Sequence, residues 1–150
     1  MRVIIQKVKN ASVKVNNQLV GKINNGLMVL AGYEPSDSKE DISWMVQKII
    51  KMRIFDDSEN RLNFSILEVN GEILLISQFT LHASVKKGNR PSYIKAADFK
   101  KAKLMYDLTI SEFETVLKRK ISTGKFGANM DVSLVNNGPV TITIDSKKKE

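Results

Sequence analysis

Gly26-Leu27-Met28-Val29-Leu30-Ala31-Gly32-Tyr33 is apolar from end to end, without alternation. A strand with one wet face alternates, so this run reads as a strand buried on both faces. The residues before it do alternate. Val3, Ile5 and Lys7 share one face, followed by Val13 and Val15, then Leu19 and Ile23. Asn16-Asn17 and Asn24-Asn25-Gly26 are turn signals between these runs, so the opening third is expected to be a β-meander.

Beyond it the period changes. Glu34-Pro35-Ser36-Asp37-Ser38 breaks the pattern, and Ser36 or Ser38 can cap a helix whose positive end suits Glu40 and Asp41. Ile42, Met45, Val46, Ile49 and Ile50 then recur at helical spacing to about Arg53, with Trp44 beside the stripe. Residues 64–69 and 72–79 read as strands joined in a hairpin by Asn70-Gly71. Asp98 can cap a second helix, with Ala102, Met105, Tyr106, Thr109, Phe113, Val116 and Leu117 on one face and Lys118-Arg119-Lys120 at its negative end. Residues 122–128 form a Gly-rich loop, and two last strands, 132–135 and 140–144, flank Gly138-Pro139. The expected class is α/β: mixed, largely antiparallel sheets, barrel-like in β/β/α layers, with two main helices in a single domain.

At 150 residues and 42% hydrophobic, the chain can build one good core as one domain, 1–150, with a charged tail from about 146. No run approaches the ~20 apolar residues of a membrane span, and charge returns at Lys7 too soon for a signal peptide. No membrane partner and a cytoplasmic location are expected. The lack of cysteine excludes disulfides and thiolate zinc, and a single histidine speaks against a transition-metal site. The charge of +8 suits a polyanionic partner, or else a lysine-rich solvated surface.

Few residues form a recognisable catalytic set. There is no Gly-x-Ser-x-Gly elbow and no phosphate-binding Gly-rich motif. His82 has no evident acid partner and reads as a surface-loop residue; Asp56, Asp57 and Glu59 lack calcium-loop spacing and read as solvated. Ser77, Gln78 and Thr80 end an apolar strand, with Ser77, Phe79 and Leu81 on one face and Gln78 and Thr80 on the other. They are orienting groups or a polar strand end; Thr80 as a nucleophile has no obvious base. Lys86, Lys87 and Arg90 are cations for phosphate, or a solvated loop. Asn136-Asn137-Gly138-Pro139-Val140-Thr141 is a rigid turn, plain or presenting backbone carbonyls to a ligand.

Taken together, Ser77-Gln78-Phe79-Thr80-Leu81, Asn136-Asn137-Gly138-Pro139-Val140-Thr141, Gly88-x-Arg90-Pro91-Ser92, Arg53-Ile54-Phe55 and Thr123-Gly124-Lys125-Phe126 resemble the D-aminoacyl-tRNA deacylases over essentially the whole chain. The resemblance implies a homodimer in which Gly138-Pro139 of one subunit, joined by a cis peptide, enters the other's active site. Its carbonyls would hold the α-amino group of a D-aminoacyl-tRNA and collide with an L side chain. Glycyl-tRNA would be a second substrate. Ser77, Gln78 and the backbone of Phe79 and Thr80 would position the ester, with the terminal adenosine 2′-hydroxyl assisting water. Phe126 and Met130 would line the adenosine pocket. Lys7 stands where many relatives have an arginine that orients the Gly-Pro carbonyls, and lysine lacks its planar fork. No cofactor and no metal is implied.

Overall fold

β1 (Arg2–Val15) is the spine of the fold in the computed structural model, which describes residues 1–149. Along one side it pairs antiparallel with β8 (Asp131–Asp145). Along the other it pairs first with β3 (Gly26–Gly32) and then with β2 (Gln18–Ile23). β6 (Glu72–Ser77) runs parallel to β3, and β7 (Ser122–Thr123) parallel to β6. A small ribbon of β4 (Phe55–Asp56) and β5 (Leu62–Phe64) stands apart.

The main sheet curls until its ends approach. Ser122 Oγ donates to the Lys22 carbonyl at 2.7 Å, and a Cβ on Gly21 would lie 2.5 Å from the Thr123 carbonyl oxygen. Only a residue without a side chain permits that near closure. The helices α1 (Lys39–Lys51) and α2 (Phe99–Leu117) pack on the opposite face. Val29 and Leu75 point to the helices, whereas Met28 and Leu74 point into the curl. β3 and β6 are therefore buried on both faces, as the unbroken apolar run requires. β1 changes sides between Lys7 and Val8: Val3 and Ile5 join the helix-side core, Val8 and Val13 the other.

Local chemistry explains the helix ends. Ser38 caps α1 in a capping box with Asp41, and the Asp98 carboxylate caps α2 by accepting from the Lys101 backbone N–H at 2.9 Å. α2 closes at Lys118 in the left-handed region, φ 54°, so Lys118-Arg119-Lys120 lie beyond its last turn.

Three expectations change. The opening is not a meander: β3 leaves β2 and pairs with β1, whose length accommodates both partners. The Asn16-Asn17 turn does join β1 to β2, with φ of 50° and 62°. The hairpin at Asn70-Gly71 is absent. Glu68 accepts from both the backbone N–H and the hydroxyl of Ser65 at 2.6 Å, which winds residues 65–70 into turns. β6 then pairs with β3 instead. Finally, 132–135 and 140–144 are parts of one long element, β8, whose ladder with β1 skips from Asn136 to Thr141.

Past β8, Ser146 is buried with its N–H on the Met1 carbonyl at 2.9 Å, and the Lys147 ammonium meets Asp41 at 2.7 Å. Lys149 lies over the half-buried Trp44 ring. Glu150, the end of the expected tail, lies outside the described residues. Among the described residues no helix is long and apolar enough to cross a membrane.

Candidate active site

The parallel pair β3–β6 ends at a cavity. The Gln78 backbone N–H donates to the Ala31 carbonyl at 2.7 Å, the last rung beside the ladder. The chain then folds into a 3-10 turn over Phe79–His82. This corrects the expected alternation through Leu81, since the strand stops at Ser77. The first N–H groups of such a turn have no partner within it, unlike those of a continuing strand. Gln78 donates its side-chain amide to the Thr80 hydroxyl. Among the described residues no carboxylate or imidazole hydrogen-bonds that hydroxyl, so Thr80 has no base in contact.

Ser77, Gln78, Phe79, Phe126 and Met130 all line one cavity of about 500 Å³. The structure thus brings together five of the residues singled out from the sequence. Phe126 comes from the Gly-rich loop and is held by aromatic neighbours, with ring centroids 5.4 Å from Tyr106 and 5.2 Å from Phe99. Tyr106 is itself anchored, its hydroxyl donating to the Leu75 carbonyl at 2.8 Å. Burial pushes its phenol well above the usual range, so it stays neutral and keeps that bond. Gly127 sits at φ +75°, and a Cβ there would come within 2.9 Å of Phe99.

Sequence reasoning missed Phe99. It lies off the apolar stripe of α2 at the first helical position and is 70% exposed. A bulky aromatic immediately after the Asp98 cap, with no core position to fill, was the available signal.

His82 corrects an expectation. It is 1% exposed, both ring nitrogens lack a hydrogen-bond partner, and Nδ1 is 3.9 Å from Glu34. It closes the 3-10 turn against Gly32, where a Cβ would lie 3.2 Å from its ring. Asp56 also differs from a merely solvated loop acid, since it receives the Lys7 ammonium at 2.9 Å. Lys7 is 1% exposed, a buried cation whose partner is at the surface.

Thr80, Lys7, Gly138 and Pro139 do not line the cavity of their own chain. β1 and β8 pair at Gln6 with Thr141 and again at Val8 with Asn136, so residues 137–140 leave the ladder opposite Lys7. Gly138 and Pro139 are exposed there, joined by a cis peptide, with Gly138 at φ +129°. Lys86, Lys87 and Arg90 are exposed on a short hairpin closed by paired Ser84 and Ser92. Among the described residues no group of three or more His, Asp or Glu side chains could hold a metal ion.

Residues 4–145 match the family described as D-Tyr-tRNA(Tyr) deacylase. The chain belongs to this family. Curated D-aminoacyl-tRNA deacylases of Flavobacterium psychrophilum and Flavobacterium johnsoniae are 53% and 55% identical to it over 150 residues, 100% of each chain. The solved structure of a c-Myc DNA Unwinding Element Binding Protein is similar at a TM-score of 0.92 and 35% identity, over 97% of this chain and 98% of that one. A probable eukaryotic D-amino acid tRNA deacylase shares the fold, at a TM-score of 0.81 and 18% identity over 95% and 97% of the two chains. Membership sets the reaction class: the deacylase is a hydrolase of an aminoacyl-tRNA ester.

Proposed function

We propose that the protein removes D-amino acids from mischarged tRNA and spares the L-esters. Water attacks the ester carbonyl, the bond to the ribose oxygen of the terminal adenosine breaks, and that oxygen leaves with a proton. The observation that carries this reading is the end of β6: Ser77, Gln78 and Phe79 line the same cavity as Phe126 and Met130. The ester would lie against the first three, and the adenine beside Phe126, where stacking contributes about 1–3 kcal/mol.

The missing base favours positioning over covalent catalysis. Thr80 shares its hydroxyl with the Gln78 amide, which makes it an orienting group. The adenosine 2′-hydroxyl then assists the water, and free backbone N–H groups at the turn stabilise the developing oxyanion. No cofactor enters this scheme. Chiral selection falls to Gly138 and Pro139. They are exposed and outside their own cavity, which supports a homodimer in which each subunit's turn completes its partner's site. Main-chain carbonyls there would bind the α-amino group and collide with an L side chain. Glycine has nothing to collide, so glycyl-tRNA is a second substrate. Lys7 supports the strand beneath that turn, and Lys86, Lys87 and Arg90 meet tRNA phosphates. Such a substrate places the work in the cytoplasm.

Nucleic-acid binding without hydrolysis is the second reading. It is favoured by the likeness to a DNA unwinding element binding protein and by the +8 charge. Deacylation of matched D-Tyr-tRNA and L-Tyr-tRNA with EDTA present separates the two. Loss of the D-ester alone is expected; survival of both esters would leave only binding, and loss of both would remove the chiral filter.

A further inference from the structure

Outside the cavity, at its rim, two exposed aromatics form a built surface. Phe79 lines the cavity yet is 55% exposed, and Tyr93, 40% exposed, meets it edge to face at 5.0 Å and 74°. Tyr93 is fixed from both sides in the chain. Ser84 and Ser92 exchange backbone hydrogen bonds of 2.8 and 2.9 Å just before it, and the Ala96 N–H returns to the Tyr93 carbonyl at 2.9 Å just after. The next residue, Ala97, donates to the Tyr33 carbonyl at 2.9 Å, and both of these residues line the cavity. The ledge is therefore tied to the site at both ends and is not a loose loop.

The segment that carries Tyr93 has one sign of charge. Lys86, Lys87, Arg90 and Lys95 are all exposed, and residues 82–97 contain no Asp or Glu. An aromatic surface set among unpaired cations fits single-stranded nucleic acid, whose bases stack while its phosphates meet the charges. A protein partner's apolar patch would leave those cations without partners.

We propose that Phe79 and Tyr93 form a stacking ledge for the base of the nucleotide preceding the terminal adenosine, with the 84–92 hairpin receiving the adjoining phosphates. This rests on the adenosine occupying the cavity, and it extends recognition one nucleotide outward. Tyr93 acts there as a binding residue with no part in the chemistry.

The test uses Tyr93→Leu, which keeps apolar bulk and loses the π-face, with Tyr93→Phe as the conservative control. On D-Tyr-tRNA, Tyr93→Leu should raise KM about tenfold, within the range of one stacked base, and leave kcat unchanged. On the D-tyrosyl ester of adenosine alone it should change neither, and Tyr93→Phe should behave as the parent on both. Equal effects on both substrates, or none on tRNA, would overturn the ledge. Binding gives an independent readout: the parent should hold CpCpA more tightly than AMP, and Tyr93→Leu should weaken CpCpA about tenfold while leaving AMP unchanged, the hairpin phosphate contacts accounting for what remains of the difference. If the parent hydrolyses neither ester but Tyr93→Leu still weakens CpCpA and not AMP, the ledge stands and the deacylase reading falls. If CpCpA binds no tighter than AMP, the ledge falls whatever the activity.

Discussion

Asp56→Asn should destabilise the protein by about 2–3 kcal/mol, while Lys7→Met, which removes the partner charge, should cost under ~1 kcal/mol. The asymmetry comes from burial. The Lys7 ammonium lies 2.9 Å from the Asp56 carboxylate, with side chains 1% and 41% exposed. At that distance the attraction is about 6 kcal/mol for an effective dielectric of ~20, opposed by several kcal/mol for taking the ammonium out of water. The intact pair therefore nets little. Without Asp56 the desolvated cation has no counter-charge, a loss of about 3–5 kcal/mol when both partners are buried, discounted here because water can reach the Asp56 position. Methionine matches the lysine stem and presents no charge, so the helix-side core stays filled. The double variant should resemble Lys7→Met. The assay is urea unfolding of all four proteins at one fixed protein concentration, since the stability of the proposed homodimer would depend on it. At this size Asp56→Asn should lower Tm by about 5–10 °C. Equal losses for the two single variants, or additive losses in the double, would show that the ammonium is held by something other than Asp56. The chain opposite Lys7, residues 137–140, would then be the first place to look.

Thr80→Ala should keep deacylation within about tenfold of the parent; a fall beyond ~100-fold, or ~2.7 kcal/mol of barrier, would make Thr80 the nucleophile. Gly138→Ala places a Cβ 2.9 Å from the Val140 side chain at φ +129°, so hydrolysis of D-Tyr-tRNA should fall or that of L-Tyr-tRNA rise; unchanged values for both would clear the turn of any role in selection. Gly26→Ala would set a Cβ 1.9 Å from the Glu72 carbonyl oxygen and should cost about 3 kcal/mol in urea unfolding, the upper end for overpacking. Burial pushes the Asp41 carboxyl up, but hydrogen bonds from Lys147 and the Ser38 backbone outweigh it and hold it below the usual carboxylate range. A depressed carboxyl stabilises the fold above its unfolded value and loses that contribution as pH falls. Lys147→Ala should therefore lower Tm at pH 7, by under ~1 kcal/mol of stability after solvent screening, and the deficit should shrink below about pH 4; a deficit equal at both would exclude this ion pair.

The sequence by itself determined whatever depends on residues near one another in the chain. The spacing of Ile42, Met45, Val46, Ile49 and Ile50, with Ser38 ahead of them, specified α1, because helix stripe and cap are local patterns. Asp98 announced α2 in the same way, and the unbroken run from Gly26 identified a strand covered on both faces. The motifs around Ser77 and Gly138 named the family and most of the candidate site. Partner choice among strands was not legible. Asn70-Gly71 is a sound turn signal, but the Ser65–Glu68 bonds and the register of β3 with β6 decided against a hairpin. Lys7 reads as one more alternating position, and nothing near it in the chain announces the Asp56 carboxylate, 49 residues away, that it meets. His82 leaves its expected surface loop for the same reason and closes a buried turn, while Phe99, which the sequence did not single out, lines the cavity. Burial of a single side chain depends on which distant segment covers it, and only the tertiary structure settles that.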